Sequence, residues 1–339
     1  MTSERSYSWG KRAGVIGAGS WGTALALVLR RQGYAVGLWV YEAELADRIR
    51  SEHENAVYLP GFALDEGITA TTELAQAVAP LTIIAVPSHV LRATLTRLAP
   101  VLPPASEVLL ATKGLEEQTA LRVSEVTAEV LGAEVSKRLA TLSGPTFARE
   151  VAAGEPAAVV LAAQAPELAH SLQQRMASSS LRLYTSSDLV GVELAAALKN
   201  VIAIASGICH GQGLGSNTQA ALIARGLAEM TRLAVAMGGQ AETLAGLAGL
   251  GDLVLTCSGA LSRNRALGIA LGQGKTLAEA QAATPMVAEG VRTTAAAVRL
   301  AQRWGVEMPI LEQMHCVLFE QVPPRQALSE LMGRALRAE

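Results

Sequence analysis

Short runs of uninterrupted apolar residues alternate with amphipathic stretches over the first half of the chain. AGVIG (13–17), AVGLWV (35–40), LTIIAV (81–86), EVLLAT (107–112), LATLSG (139–144) and AAVVLAA (157–163) are apolar almost throughout. They lack the period-two alternation of a half-exposed strand. Such runs suit parallel strands covered on both faces. TALALVLRRQ (23–32), between the first two runs, has the spacing of a helix. The pattern predicts an α/β, doubly wound, Rossmann-like sheet domain with ligands at the carboxyl ends of its strands.

From about residue 188 the pattern changes. Ala, Leu and Ile recur at helical spacing over 189–208, 217–238, 263–272, 276–282, 289–303 and 309–320. DLVLTC (252–257) is the only strand-like run left. A mostly α-helical C-terminal domain is expected, with the boundary inside TSSDLVGVE (185–193). Residues 11–190 are assigned to dinucleotide binding and 191–339 to a helical substrate-binding and catalytic domain. The length of 339 residues exceeds what one core usually serves, which also favours two domains.

Composition narrows the function. A net charge of −2 with both signs spread along the chain excludes the basic footprint of a nucleic-acid binder. Cys209, Cys257 and Cys316 are scattered and odd in number. They read as reduced core thiols of a cytoplasmic protein. The polar start MTSERSYSWGKR has no apolar signal region, and no membrane span is expected. His53, His170, His210 and His315 form no ligand pattern, so no metal is expected. His89, in VPSH (86–89), reads as a packed or capping residue.

VIGAGSWGTALA (15–26) places Gly17, Gly19 and Gly22 in G-x-G-x-x-G order between a strand and a helix. Gly17 permits the tight turn, Gly19 lets backbone approach a pyrophosphate, and Gly22 lets helix pack on sheet. The helix start offers free N–H groups to the phosphates. Glu42, just past the second strand, is placed to hold a ribose 2′-hydroxyl. No cation lies at 40–43 to hold a 2′-phosphate. NAD is therefore favoured, with NADP possible through Arg48 or Arg50.

The lysines stand out, because the chain has only five. Lys113, in LLATKG (109–114), sits at a strand end and points toward the ligand crevice; an exposed loop lysine is the alternative. Lys199 lies in ELAAALKNVIAIASGI (193–208), where its helical neighbours are Ala195, Ala196, Ile202 and Ala203. A buried ammonium there would have a lowered pKa and serve as a general acid and base. The alternative is a stem that packs while its head reaches solvent. Asp252, between a glycine turn and an apolar run, could pair with Lys199 across the cleft and partly offset the lowering of its pKa. Ser262 reads as an N-cap and Arg263 as a phosphate ligand, against the alternative of a solvated basic helix start. Thr146, in SGPTFARE (143–150), offers a hydroxyl beside a rigid turn.

GAGSWGTALA, VPSH, ATKG, SGPTFARE, ALKNVIAI, GLGDLVLTC, SRNR and VAEGVRT occur in one order over about residues 12–335. In this the chain resembles the NAD(P)-dependent glycerol-3-phosphate dehydrogenases, bacterial cytosolic type. The resemblance implies interconversion of sn-glycerol 3-phosphate and dihydroxyacetone phosphate, a supply of glycerol 3-phosphate for phospholipid synthesis, and a homodimer. It implies Lys199 as general base and acid, Lys113 near nicotinamide and substrate, and Asp252 and Asn200 as orienting groups. Gly144, Thr146, Ser262, Arg263 and Asn264 would line the substrate site. Ser20, Trp21, Tyr41, Ala148, Val287 and Glu289, with Lys113 and Arg263, would contact the dinucleotide. LWVYE (38–42) departs from the basic residue many bacterial members carry there, again favouring NAD. A hydroxy-acid dehydrogenase of similar build and a dinucleotide-sensing protein without turnover are the rival readings.

Overall fold

The computed structural model describes residues 11–282 and 288–336. Eight strands form one sheet: β1 (Arg12–Ile16), β2 (Ala35–Trp39), β3 (Ile68–Thr71), β4 (Leu81–Ile84), β5 (Glu107–Leu110), β6 (Leu139–Ser143), β7 (Ala157–Ala163) and β8 (Leu181–Ser186). Their spatial order is β3-β2-β1-β4-β5-β6-β7-β8. In the sheet centre Val15 of β1 lies between Leu38 of β2 and Ile83 of β4. The order reverses at β1 and β4, so the crevice of a doubly wound sheet opens at their carboxyl ends.

Two features differ from the expectation. The apolar run of β7 pairs antiparallel with β6, although β7 and β8 are again parallel. An apolar run reports burial on both faces, not direction. The outermost strands β3 and β8 escape the pattern because they are edge strands and carry polar residues. Arg182 and Tyr184 of β8 are exposed while Leu181 and Leu183 are buried.

Two apolar clusters sandwich the sheet. A third fills the helical half, where no strand occurs after β8 among the described residues. Its axis is the helix Leu189–Gly211, started by Asp188, whose side chain accepts from Gly191 N–H at 2.7 Å. That helix is long and apolar enough to cross a membrane, but it is enclosed by Ser216–Ala236, Asp252–Ser258, Arg263–Gly272 and Glu289–Trp304. Its closest neighbour is Arg263–Gly272. There a methyl group on Gly207 would lie 2.1 Å from the Arg265 carbonyl. The abundance of small residues thus becomes backbone-to-backbone contact between helices.

DLVLTC is not a strand. It forms the helix Asp252–Ser258, which continues a tight turn over Leu247–Gly251. Asp252, Leu253, Thr256 and Cys257 are its buried residues, the spacing of one helical face. Packing against the central helix overrides the β-preference of Val and Thr. Of the three free cysteines only Cys257 is buried; Cys209 and Cys316 are half-buried. His89 is exposed rather than packed.

Candidate active site

The glycine loop leaves β1 with Gly17 at φ +114°. Helix Ser20–Arg31 then packs so closely that a methyl group on Gly22 would lie 1.9 Å from the Gly17 carbonyl. A methyl on Gly19 would meet nothing within 4 Å, so the turn faces open space. The helix has no side-chain cap, leaving its first N–H groups available to an anion. At that same end the Trp21 Nε1–H is buried without a partner among the described residues. Open space, uncapped N–H groups and an orphaned donor fit a bound dinucleotide phosphate. The Ser20 hydroxyl is engaged, donating to the Tyr58 carbonyl at 2.6 Å. Beyond β2, Tyr41 is exposed and Glu42 accepts from the Tyr58 hydroxyl at 3.0 Å. Arg48 pairs with Glu52, and Arg50 with Asp47.

Across the crevice, two lysines converge on one carboxylate. Lys199 Nζ donates to Asp252 Oδ1 at 2.5 Å and to Thr256 Oγ1 at 3.1 Å. Lys113 Nζ, from the loop after β5, donates to Asp252 Oδ2 at 2.9 Å and to the Gly144 carbonyl at 3.1 Å. Asp252 is wholly enclosed and Lys199 is only 6% exposed. Burial pushes the Lys199 pKa down from 10.5 to about 8, helped by the charge of Lys113 and opposed by Asp252. Burial alone would raise the Asp252 carboxyl, but the two ammonium groups outweigh it and hold it below its ordinary value.

Beside Lys199 runs a chain of buried amides. Asn264 Nδ2 donates to Asn200 Oδ1 at 2.9 Å, and Gly290 N–H donates to Asn264 Oδ1 at 3.0 Å. Asn200 is thereby locked against the start of helix Glu289–Trp304. Ser262 caps helix Arg263–Gly272, its hydroxyl accepting from Arg265 N–H at 3.2 Å. Arg263 is exposed at the first turn of that helix. Its guanidinium makes no hydrogen bond among the described residues; partial desolvation holds its pKa below the usual value, opposed by the charge of Glu289. Thr146 Oγ1 donates back to the Gly144 carbonyl at 3.2 Å.

Residues 12–169 match the model of the NAD-dependent glycerol-3-phosphate dehydrogenase N-terminus, and residues 188–329 match that of its C-terminus. The chain belongs to this family. It is 53% identical over 331 residues to the NAD(P)+ glycerol-3-phosphate dehydrogenase of Geobacter sp. strain M21, covering 97% of this chain and 99% of that protein. The corresponding protein of Koribacter versatilis is 51% identical over 332 residues, with 97% and 98% covered. Among solved structures, the glycerol-3-phosphate dehydrogenase of Coxiella burnetii superposes with a TM-score of 0.91 at 43% identity, covering 96% of this chain and 99% of that one.

Several of the residues singled out from sequence are brought together by the fold. Lys113, Gly144, Lys199 and Asp252 are joined directly by hydrogen bonds; Asn200 and Asn264 are joined to each other beside them. Gly17, Gly19, Ser20, Trp21 and Gly22 lie in the turn from β1 into the first turn of helix Ser20–Arg31. Ala148 begins the short helix Ala148–Ala153 after the Thr146 turn. Glu289 is not free: its carboxylate accepts from Ser88 N–H at 3.1 Å and from the Ser88 hydroxyl at 2.6 Å. A dinucleotide contact there would share this carboxylate with the loop after β4. Val287 lies outside the described residues. Thr256 was not singled out from the sequence, yet it touches Lys199. Its helical spacing from Asp252 becomes visible only once DLVLTC is a helix.

Proposed function

We propose that this chain interconverts sn-glycerol 3-phosphate and dihydroxyacetone phosphate, using NAD in preference to NADP. The observation that carries the reading is the pair of lysines on one enclosed aspartate at the carboxyl end of β5. A bound nicotinamide supplies the hydride chemistry at its C4. The protein supplies proton transfer, charge and alignment.

Lys199 moves the proton at the substrate C2 oxygen. As the free amine it accepts the hydroxyl proton during oxidation, and as the ammonium it returns it during reduction. A pKa near 8 keeps both forms populated at neutral pH, which suits a group that must act in both directions. Asp252 stays ionised between two cations and holds Lys199 by a fixed hydrogen bond. Lys113 adds a second positive group beside Asp252, where it would stabilise charge on the C2 oxygen. Arg263, at a helix start, would bind the substrate phosphate and supply remote binding energy for alignment. Asn200, braced by Asn264, would orient the substrate hydroxyls.

The cofactor preference rests on Tyr41 and Glu42. A carboxylate at the end of β2, held by Tyr58, accepts a ribose hydroxyl and repels a 2′-phosphate. The free thiols and the balanced charge support a cytoplasmic location. A homodimer and a role in supplying glycerol 3-phosphate to phospholipid synthesis complete the reading.

Parallel assays of dihydroxyacetone phosphate reduction with NADH and NADPH test it. Turnover with NADH well above NADPH is expected. Turnover mainly with NADPH would overturn the role given to Glu42. Folded protein that binds NADH but reduces neither this substrate nor its phosphate-free analogue would overturn the function.

A further inference from the structure

The chain after Lys113 belongs covalently to the sheet but packs in the helical half. Leu115 and Ala120 are 0% and 1% exposed and sit in the same apolar cluster as Leu194, Leu198 and Val201 of the Lys199 helix. The segment closes on itself. Glu116 N–H donates to the Leu121 carbonyl and Ala120 N–H to the Glu116 carbonyl, both at 2.9 Å, and Leu115 bridges Arg122.

It is also tied outward at several points. The buried Glu116 carboxylate accepts from Arg92 Nε and Nη2, each at 2.8 Å, and from the Thr119 hydroxyl at 2.6 Å. From helix Glu289–Trp304, Arg292 donates to Glu117 at 2.9 Å and Arg303 to the Thr119 carbonyl at 3.2 Å. At its far end Arg122 donates to Glu193 at 2.8 Å. Glu193 lies on the Lys199 helix and also accepts from Ser124 N–H and Oγ at 3.0 and 2.7 Å. Both lysines are therefore referenced to one helix, Lys199 directly and Lys113 through residues 115–122.

This anchoring answers a physical problem. Two ammonium groups that share one carboxylate repel each other. Lys113, with 16% of its side chain accessible against 7% for Lys199, is the one able to leave for water. Its flexible four-carbon stem gains rotamer freedom by leaving. Something must hold its backbone in place.

We propose that residues 115–122 position Lys113 on Asp252, with Leu115 and Glu116 as the positioning residues. The reading rests on the function proposed above. Leu115 inserts the segment into the helical core, and Glu116 fixes its turn through Arg92 and Thr119. Loosening either lets Lys113 retreat from Asp252 without touching the glycine loop. The charged groups facing Lys199 are Asp252 and Lys113, with the Cys257 thiol nearby. Losing Lys113 from this set removes a neighbour that favours the free amine, so Lys199 keeps its proton to higher pH.

The test uses the full-length protein with Leu115→Ala, Glu116→Gln and the volume-conserving Leu115→Met. Oxidation of glycerol 3-phosphate is followed against pH, and NADH binding by fluorescence. For the first two variants the substrate KM is expected to rise about tenfold and the acid limb of kcat/KM to move up by about half a pH unit. NADH should still bind, because the glycine loop keeps its fold, and Leu115→Met should restore both quantities. A general loss of stability would not move the acid limb. Folded variants with the wild-type KM and acid limb would overturn the positioning role. If Leu115→Ala does not fold, Glu116→Gln and Arg292→Gln, which cuts only an exposed tie, read the same quantities. An inactive wild type removes the function and this role with it; an active wild type with unmoved variants removes this role alone.

Discussion

Replacing Lys199 by Met keeps an unbranched apolar stem and removes the ammonium. In the intact protein the shift from 10.5 to about 8 raises the free-amine fraction at pH 7.5 from roughly one in a thousand to about one in four. The same shift corresponds to roughly 3 kcal/mol favouring the neutral over the charged amine relative to water. In Lys199→Met that proton carrier is gone, while Lys113 still balances Asp252. Turnover should fall by about two to four orders of magnitude, the usual worth of a general acid–base group. NADH affinity should be little changed, because the hydrogen bonds of Lys199 go to Asp252 and Thr256 and not to the glycine loop. The pH dependence carries a sign. Oxidation needs the free amine and should rise toward a plateau above about pH 8; reduction needs the ammonium and should fall there. Stability follows the same group. The folded pKa lies below that of the unfolded lysine, so the unfolded chain binds more protons between about pH 8 and 10.5. Stability therefore rises with pH across that window and the rise should vanish in Lys199→Met. Stopped-flow assays in both directions, NADH titration and denaturant melts at several pH values measure all three. A folded Lys199→Met protein with wild-type turnover would refute the catalytic reasoning.

Two further outcomes follow from the geometry. Arg263→Ala should raise the KM for dihydroxyacetone phosphate by about 10- to 100-fold, the worth of hydrogen bonds to a charged group. Arg263→Lys should recover only part of this, because an ammonium does not match a phosphate bidentately; unchanged competition by inorganic phosphate would count against that assignment. Gly22→Ala would place a methyl 1.9 Å from the Gly17 carbonyl, so helix Ser20–Arg31 must move off β1. A loss of about 1–3 kcal/mol of stability and weakened NADH binding are expected, and a melt and titration identical to wild type would show that the turn can yield.

Much of the site was legible because its chemistry is local. The turn from strand to helix needs glycines at fixed spacing, and GAGSWG displays them. Lys199 was visible as a charge among alanines, because a helix brings residues three and four apart onto one face. Its burial was not legible; an apolar face leaves open whether the stem carries the ammonium to water. Enclosure by four other helices decided that. The run DLVLTC shows the opposite failure. Six residues rich in Leu, Val and Thr are compatible with strand or helix, and the choice came from what packs on them. Thr256 was lost with that misreading.

What the sequence alone determined is the alternation of apolar runs and helical stretches, the glycine turn, the change of character near residue 188 and the likeness to one dehydrogenase family. These depend on periodicity, backbone permissiveness and motif order, all written along the chain. The tertiary structure alone decided partnership. Lys113 and Asp252 are 139 residues apart in sequence, and Lys199 and Asp252 are 53 apart. The antiparallel turn of β7, the occupation of Glu289 by Ser88 and the ties of residues 115–122 are likewise long-range. A contact between distant residues depends on how whole layers pack, and no local pattern carries that information.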